Sequence, residues 1–158
     1  MEYIIRKARP DDWEFVKRLL LDICSIHKGF RPDLFKDGGL KFSVIDFENM
    51  LEDDNRFVHI CENVDGERLA YLFSKINIIE NSDMRTDRRI LYLDDICVER
   101  SMRGKGVGSS IVEFSKSLAL DLRCDSIELN AWAENFDAIS LYEKNGFKMQ
   151  RAFYEYIL

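Results

Sequence analysis

Val98-Glu99-Arg100-Ser101-Met102-Arg103-Gly104-Lys105-Gly106-Val107-Gly108-Ser109 is the stretch on which the reading of this chain turns. It follows an apolar run, Ile90 to Val98, that reads as a strand. It precedes Val107, Ile111, Phe114, Leu118 and Leu122, whose three- and four-residue steps mark a helix with one apolar face. A helix start offers unpaired N–H groups and the positive end of a dipole, so it suits an anion. Glycines let the backbone come close and take positive φ. Arg103 and Lys105 add charge suited to phosphate. Two common phosphate loops are excluded. A Walker A loop needs G-x-x-x-x-G-K-[ST], and no such spacing is present. A dinucleotide fingerprint needs a third glycine where this chain has Ser109 or Ile111. What remains is R-x-x-G-x-G at a strand–helix junction.

The surrounding composition sets limits. The chain has 158 residues, 29 acidic and 23 basic side chains, and a formal net charge of −6. That length predicts one domain, residues 1–158. A hydrophobic content of 46% excludes a disordered chain. The negative balance argues against nucleic acid or an anionic membrane as the main partner. No apolar run approaches the roughly 20 residues of a membrane span. The charged start, Met1 to Asp12, lacks a signal-peptide core, so a cytoplasmic location is expected. Cys24, Cys61, Cys97 and Cys124 are far apart, and His27 and His59 are the only histidines. No metal site is expected.

Outward from the turn, the pattern reads as an α/β (α+β) chain. Tyr3–Ala8 is a strand. Pro10-Asp11-Asp12 starts a helix carrying Trp13, Val16, Leu20, Ile23 and His27, which Lys28-Gly29 ends. Asp46 caps a short second helix running to about Asp54. Arg56–Val64 and Leu69–Ile79 form a hairpin around Asp65-Gly66. Asn81–Arg89 is a loop. Ser126–Trp132 is a strand and Asn135–Lys144 a helix, with Asn145-Gly146 as its stop. Phe147–Leu158 reads as two closing strands. Within Leu91-Tyr92-Leu93-Asp94-Asp95-Ile96, two acids interrupt an apolar strand. Simple alternation puts them on opposite faces.

The segment Val98–Gly108 resembles motif A of the GCN5-related N-acetyltransferase (GNAT) family. Asn135, Ala138 and Leu141-Tyr142-Glu143-Lys144-Asn145-Gly146-Phe147 resemble the family's second signature at the usual separation. The resemblance implies a mixed central sheet of about six to seven strands, splayed in the middle and flanked by about four helices. It implies acetyl-coenzyme A as cofactor and direct transfer of the acetyl group to an amine. Main chain of Ile96, Cys97 and Val98 would meet the pantetheine arm. Arg103, Gly104, Lys105, Gly106, Val107, Gly108 and Ser109 would hold the pyrophosphate, and Asn135 would touch the pantetheine. Tyr142 matches the tyrosine near the sulfur, the candidate general acid. Leu93-Asp94-Asp95 is similar to the Leu-Glu-Asp segment of spermidine/spermine acetyltransferases, whose first acid is the proposed base. Asp94 inherits that role one methylene short, and Asp95 stays a candidate.

Acceptor contacts in such enzymes come from the first two helices and the loop between the third and fourth strands. His27, Phe30, Arg31, Phe35 and Glu80 are the candidates here. A small cationic amine is the expected acceptor. A protein or peptide amine, and a non-catalytic acyl-CoA-binding sensor, are the alternatives. The resemblance also implies pairing of two copies through the last strands, a homodimer.

Overall fold

The computed structural model describes residues 2–158. Apolar alternation draws its strands into one sheet in the order β1-β2-β3-β4-β5. They are β1 (Tyr3–Lys7), β2 (Arg56–Asn63), β3 (Arg68–Ile79), β4 (Arg88–Val98) and β5 (Ser126–Leu129). The first four pair antiparallel, and β5 lies parallel to β4. The helices are α1 (Trp13–Phe30), α2 (Val44–Leu51), α3 (Val107–Asp121) and α4 (Phe136–Lys144).

Two apolar layers hold the sheet. On one face Val16, Leu19 and Leu20 of α1 and Phe47 of α2 pack on Tyr71 and Phe73. On the other, Val107 and Ile111 of α3 pack on Leu72, Leu91 and Leu93. Each fully buried side chain of this size is worth about 1.5–3 kcal/mol of transfer free energy. The β2–β3 hairpin turns where expected: Gly66 has φ +79°, and the Asn63 side-chain oxygen accepts from the N–H groups of Asp65 and Glu67.

Several expectations need correction. The sheet has five strands, not six or seven. β5 stops at Leu129 rather than Trp132, because the chain there leaves β4 and loses its ladder. Phe147–Leu158 forms no strand. A strand exists only through a partner, and no described strand pairs with this segment. Phe153, Tyr154, Tyr156 and Leu158 are exposed, and Glu155 reaches Arg31 as an ion pair. Ser43, not Asp46, caps α2. Asp46 completes the capping box from the third helical position, its carboxylate accepting the Ser43 N–H. α1 runs through Gly29 to Phe30.

The start of α1 is fixed by a buried charge. Asp12 is fully buried. Its carboxylate accepts from Arg6 Nη1 at 2.8 Å, Arg68 Nε at 2.6 Å and the Arg9 N–H at 2.7 Å. Burial pushes its pKa up, but those hydrogen bonds outweigh burial and hold it at about 2. The folded value lies below the ordinary 3.8. The group therefore contributes about 2 kcal/mol above pH ~4, lost as pH falls toward 2. Asp12→Ala leaves two guanidinium groups short of a partner and is expected to cost about 3–5 kcal/mol in urea unfolding. The variant should also lose most of the wild-type stability gain between pH ~2 and ~4. A cost within experimental error would exclude this anchoring role.

Candidate active site where β4 parts from β5

The β4–β5 ladder runs from Ile90↔Ser126 to Leu93↔Leu129 and ends there. β4 continues to Val98 against β3 alone. Among the described residues no strand meets the other edge of Asp94–Val98. At the same place β4 bulges. Leu93 pairs with Ser74 and Asp95 with Phe73, so Asp94 is the extra residue. Leu93, Ile96 and Val98 all pack on the α3 side, whereas Cys97 joins the α1–α2 core. The extra residue therefore puts Asp94 and Asp95 on the same α1–α2 face. The expectation of opposite faces fails because strand alternation skips a step at the bulge.

Each acid has a distinct partner. Asp95 Oδ2 accepts from the Tyr71 hydroxyl at 3.2 Å. Lys41 Nζ, from the segment joining α1 to α2, donates to the Asp94 carbonyl at 2.6 Å and lies 3.5 Å from its Oδ1. Asp95 keeps some exposure as a residue, yet its carboxyl sits in a dense surround. Desolvation pushes it up to about 6 against the pull of Lys41 and Tyr71. Tyr142, near the end of α4, feels the same carboxylate. Desolvation first and Asp95 second push its hydroxyl up to about 12. Its ring rests on Phe147, with centroids 5.8 Å apart. Desolvation and Asp95 raise the buried Cys97 thiol to about 12, so it stays protonated and is no nucleophile.

At the far end of the open edge lies the glycine turn. Gly104 (φ +74°) and Gly106 (φ +89°) take the left-handed conformation, and a Cβ on either would meet no atom within 4 Å. Gly106 is the N-cap of α3. Among the described residues, no acceptor meets the N–H groups of Gly104, Lys105, Gly106, Val107, Gly108 or Ser109. Tyr3 donates its hydroxyl to the Lys105 carbonyl at 2.7 Å, and Arg103 Nε donates to the Val98 carbonyl, tying the turn to β1 and β4. Gly108 has a packing reason: a Cβ there would lie 3.0 Å from Leu141 of α4. The Asn145 amide donates to Ser109 Oγ at 3.4 Å, a second link between these helices. Asn135 caps α4 through the Ala138 N–H.

Of the acceptor-side candidates, His27 and Phe35 come together, 5.3 Å between ring centroids, and Trp132 completes the cluster at 5.5 Å from Phe35. Arg31 lies over Trp132, held by Asp33 and Glu155. Desolvation and the Lys41 charge lower the His27 pKa. Phe30 ends α1. Glu80 is not brought to this place. It follows β3 at the hairpin tip, where Ile79 pairs with Arg88, and Asp94 lies six residue steps along β4 from Arg88. That is about 20 Å of strand. Lys41 and Trp132 were not picked out from the sequence, since one is an ordinary loop cation there and the other the end of an expected strand.

A family model described as the acetyltransferase (GNAT) family matches residues 20–147. A mutant form of the BH1408 protein from Bacillus halodurans has the same fold, with TM-score 0.94 and 26% identity over 98% of this chain and 99% of that one. An uncharacterized N-acetyltransferase of Methanocaldococcus jannaschii, MJ1207, is 25% identical over 92% of this chain and 61% of its own length. The aminoglycoside acetyltransferase AAC(6')-Iy, solved with a bisubstrate analogue of coenzyme A, shares the fold at TM-score 0.71 and 18% identity, over 100% and 99% of the two chains. The chain spans 33% to 61% of the length of the curated relatives it matches.

The Tyr71 hydroxyl is the side-chain hydrogen bond that favours the ionised Asp95. Tyr71→Phe should move the Asp95 titration upward from about 6, followed by carboxyl carbon NMR against pH. An unchanged midpoint would mean that the hydroxyl does not sense the carboxylate.

Proposed function

The chain belongs to the acetyltransferase (GNAT) family, and from that premise we propose that it moves an acetyl group from acetyl-coenzyme A to the amine of a small cationic acceptor. The observation that carries this reading is one continuous path. It runs from unpaired N–H groups at the glycine turn, along the open edge of β4, to the Asp95 carboxyl and the Tyr142 phenol that its charge reaches. The donor fits the residues present. The turn has free donors, positive φ and open space where a pyrophosphate would lie. Main-chain groups of Ile96, Cys97 and Val98 form a strand edge that no other described strand covers, suited to the amides of a pantetheine arm, with the Val98 carbonyl already accepting from Arg103. Asn135, capping α4 through its oxygen, keeps its amide N–H groups for the same arm. When bound, acetyl-coenzyme A supplies the acetyl group as an activated thioester.

The chain's own groups supply the rest. A nucleophilic amine must lose a proton, and a base works best with a pKa near the working pH. Asp95, at about 6, meets that condition. Asp94 is the second carboxylate of the face and suits an ammonium, as its pairing with Lys41 illustrates. Tyr142, at about 12, stays protonated across the physiological range and can donate to a leaving sulfur. His27, Phe35 and Trp132 form an aromatic wall that favours a cation at its faces. A thiol-release screen across polyamines, amino acids, aminoglycosides and short peptides tests the acceptor class. Turnover confined to peptides would replace the small-amine reading.

Two substitutions test the machinery. Gly106→Val forces a β-branched residue to φ +89° and fills the open space, so acetyl-coenzyme A affinity should fall about tenfold or more by calorimetry. Unchanged affinity would remove the turn from the donor site. Tyr142→Phe should lower kcat by about 10²-fold while the donor Kd moves little. Near wild-type turnover would eliminate the phenol as donor.

A further inference from the structure

Lys41 belongs to no helix or strand, and its side chain is 44% exposed. A lysine of this kind normally extends into water. Instead its Nζ reaches a residue 53 positions away and bonds the main-chain carbonyl of Asp94 at 2.6 Å, with the Asp94 carboxylate at 3.5 Å. Asp94 is the bulge residue at the point where β4 and β5 part. The cation is also felt by Asp95 and by His27, and it lies 5.3 Å from the Phe42 ring centroid. Thus a primary amine of the chain is held by Asp94, within the field of the Asp95 carboxylate and of His27, a member of the aromatic cluster. An external ammonium would need the same surroundings.

We propose that Lys41 occupies the acceptor-amine position as an internal substitute, and that the enzyme acetylates Lys41 Nζ when no external amine is present. The proposal rests on the acetyltransferase reading above. The step balances with the acetyl thioester as co-reactant. The Nζ ammonium gives one proton to the Asp95 carboxylate. Its lone pair forms the new N–C bond, and the thioester C–S bond breaks with its electron pair left on sulfur. The nitrogen's second proton goes to water, and the thiolate is protonated through Tyr142, which regains its proton from water. The product is neutral Nε-acetyl-lysine, which can no longer pair with Asp94. An acceptor amine competes for the place, so it should slow the modification, and modification should loosen the Lys41–Asp94 tie.

The test uses the full chain with acetyl-coenzyme A and no acceptor, read by intact-mass and peptide mass spectrometry. One acetyl group is expected at Lys41, about tenfold or more ahead of the other lysines. Its rate should not depend on protein concentration, and spermidine or another good acceptor should suppress it. Lys41→Arg, which keeps the ion pair, should lose the modification. A second readout needs no donor. Lys41→Gln should bind a cationic amine more tightly than wild type by calorimetry, since the internal competitor is gone. Acetyl-coenzyme A binding and amine turnover without preferential Lys41 modification would overturn self-acetylation alone. Unchanged amine affinity in Lys41→Gln would overturn the shared position. Absence of acetyl-coenzyme A binding would overturn the acetyltransferase reading, and this proposal with it.

Discussion

One extra residue in β4 organises this molecule. Without it, Asp94 and Asp95 would straddle the sheet, and one carboxyl would point into the apolar layer under α3, where an unpaired charge is costly. With it, Leu93 and Ile96 both stay in that layer and both acids turn toward α1 and α2. The bulge also twists β4 at the point where β5 stops following it. A side-chain bond from Asn130 to the Tyr92 hydroxyl then stands at the end of the ladder. The open edge, the paired acids and the route to the glycine turn all follow from that interruption. The bulge frees a carbonyl as well, and Lys41 meets it.

Much of this architecture is legible in the residues alone. The glycine turn, its strand and its helix stand where the spacing puts them, because positive φ and helix periodicity are local properties. The resemblance to the family rests on the same residues. The bulge itself leaves a trace: Leu91 and Leu93 alternate, then Ile96 and Val98 resume one step late. Read strictly, that skipped beat puts both intervening acids on one face. The simple period-two reading misses it. Other failures are not local. Whether Phe147–Leu158 pairs depends on a partner strand, which the segment's own aromatic content cannot reveal. The tie between Lys41 and Asp94 joins positions 53 apart, and nothing near either announces it. Ser43 and Asp46 are both good capping residues; their order in the box depends on where the helix begins.

Two aspartates show how the same side chain serves opposite ends. Asp12 is buried among two guanidinium groups and a backbone N–H, and these hold it at about 2. It is ionised throughout the neutral range and contributes to the fold. Asp95 has one neutral hydroxyl as its hydrogen-bonding side chain and a dense surround, and it rises to about 6. Its folded value exceeds the ordinary 3.8, so ionisation opposes folding. That cost grows as pH rises from about 4 and approaches about 3 kcal/mol above pH ~6. A chain selected for stability alone would put an amide or an apolar residue there. In the proposed reaction, that cost keeps a carboxyl poised near neutrality on the open edge, where the proton of the acceptor amine would be taken.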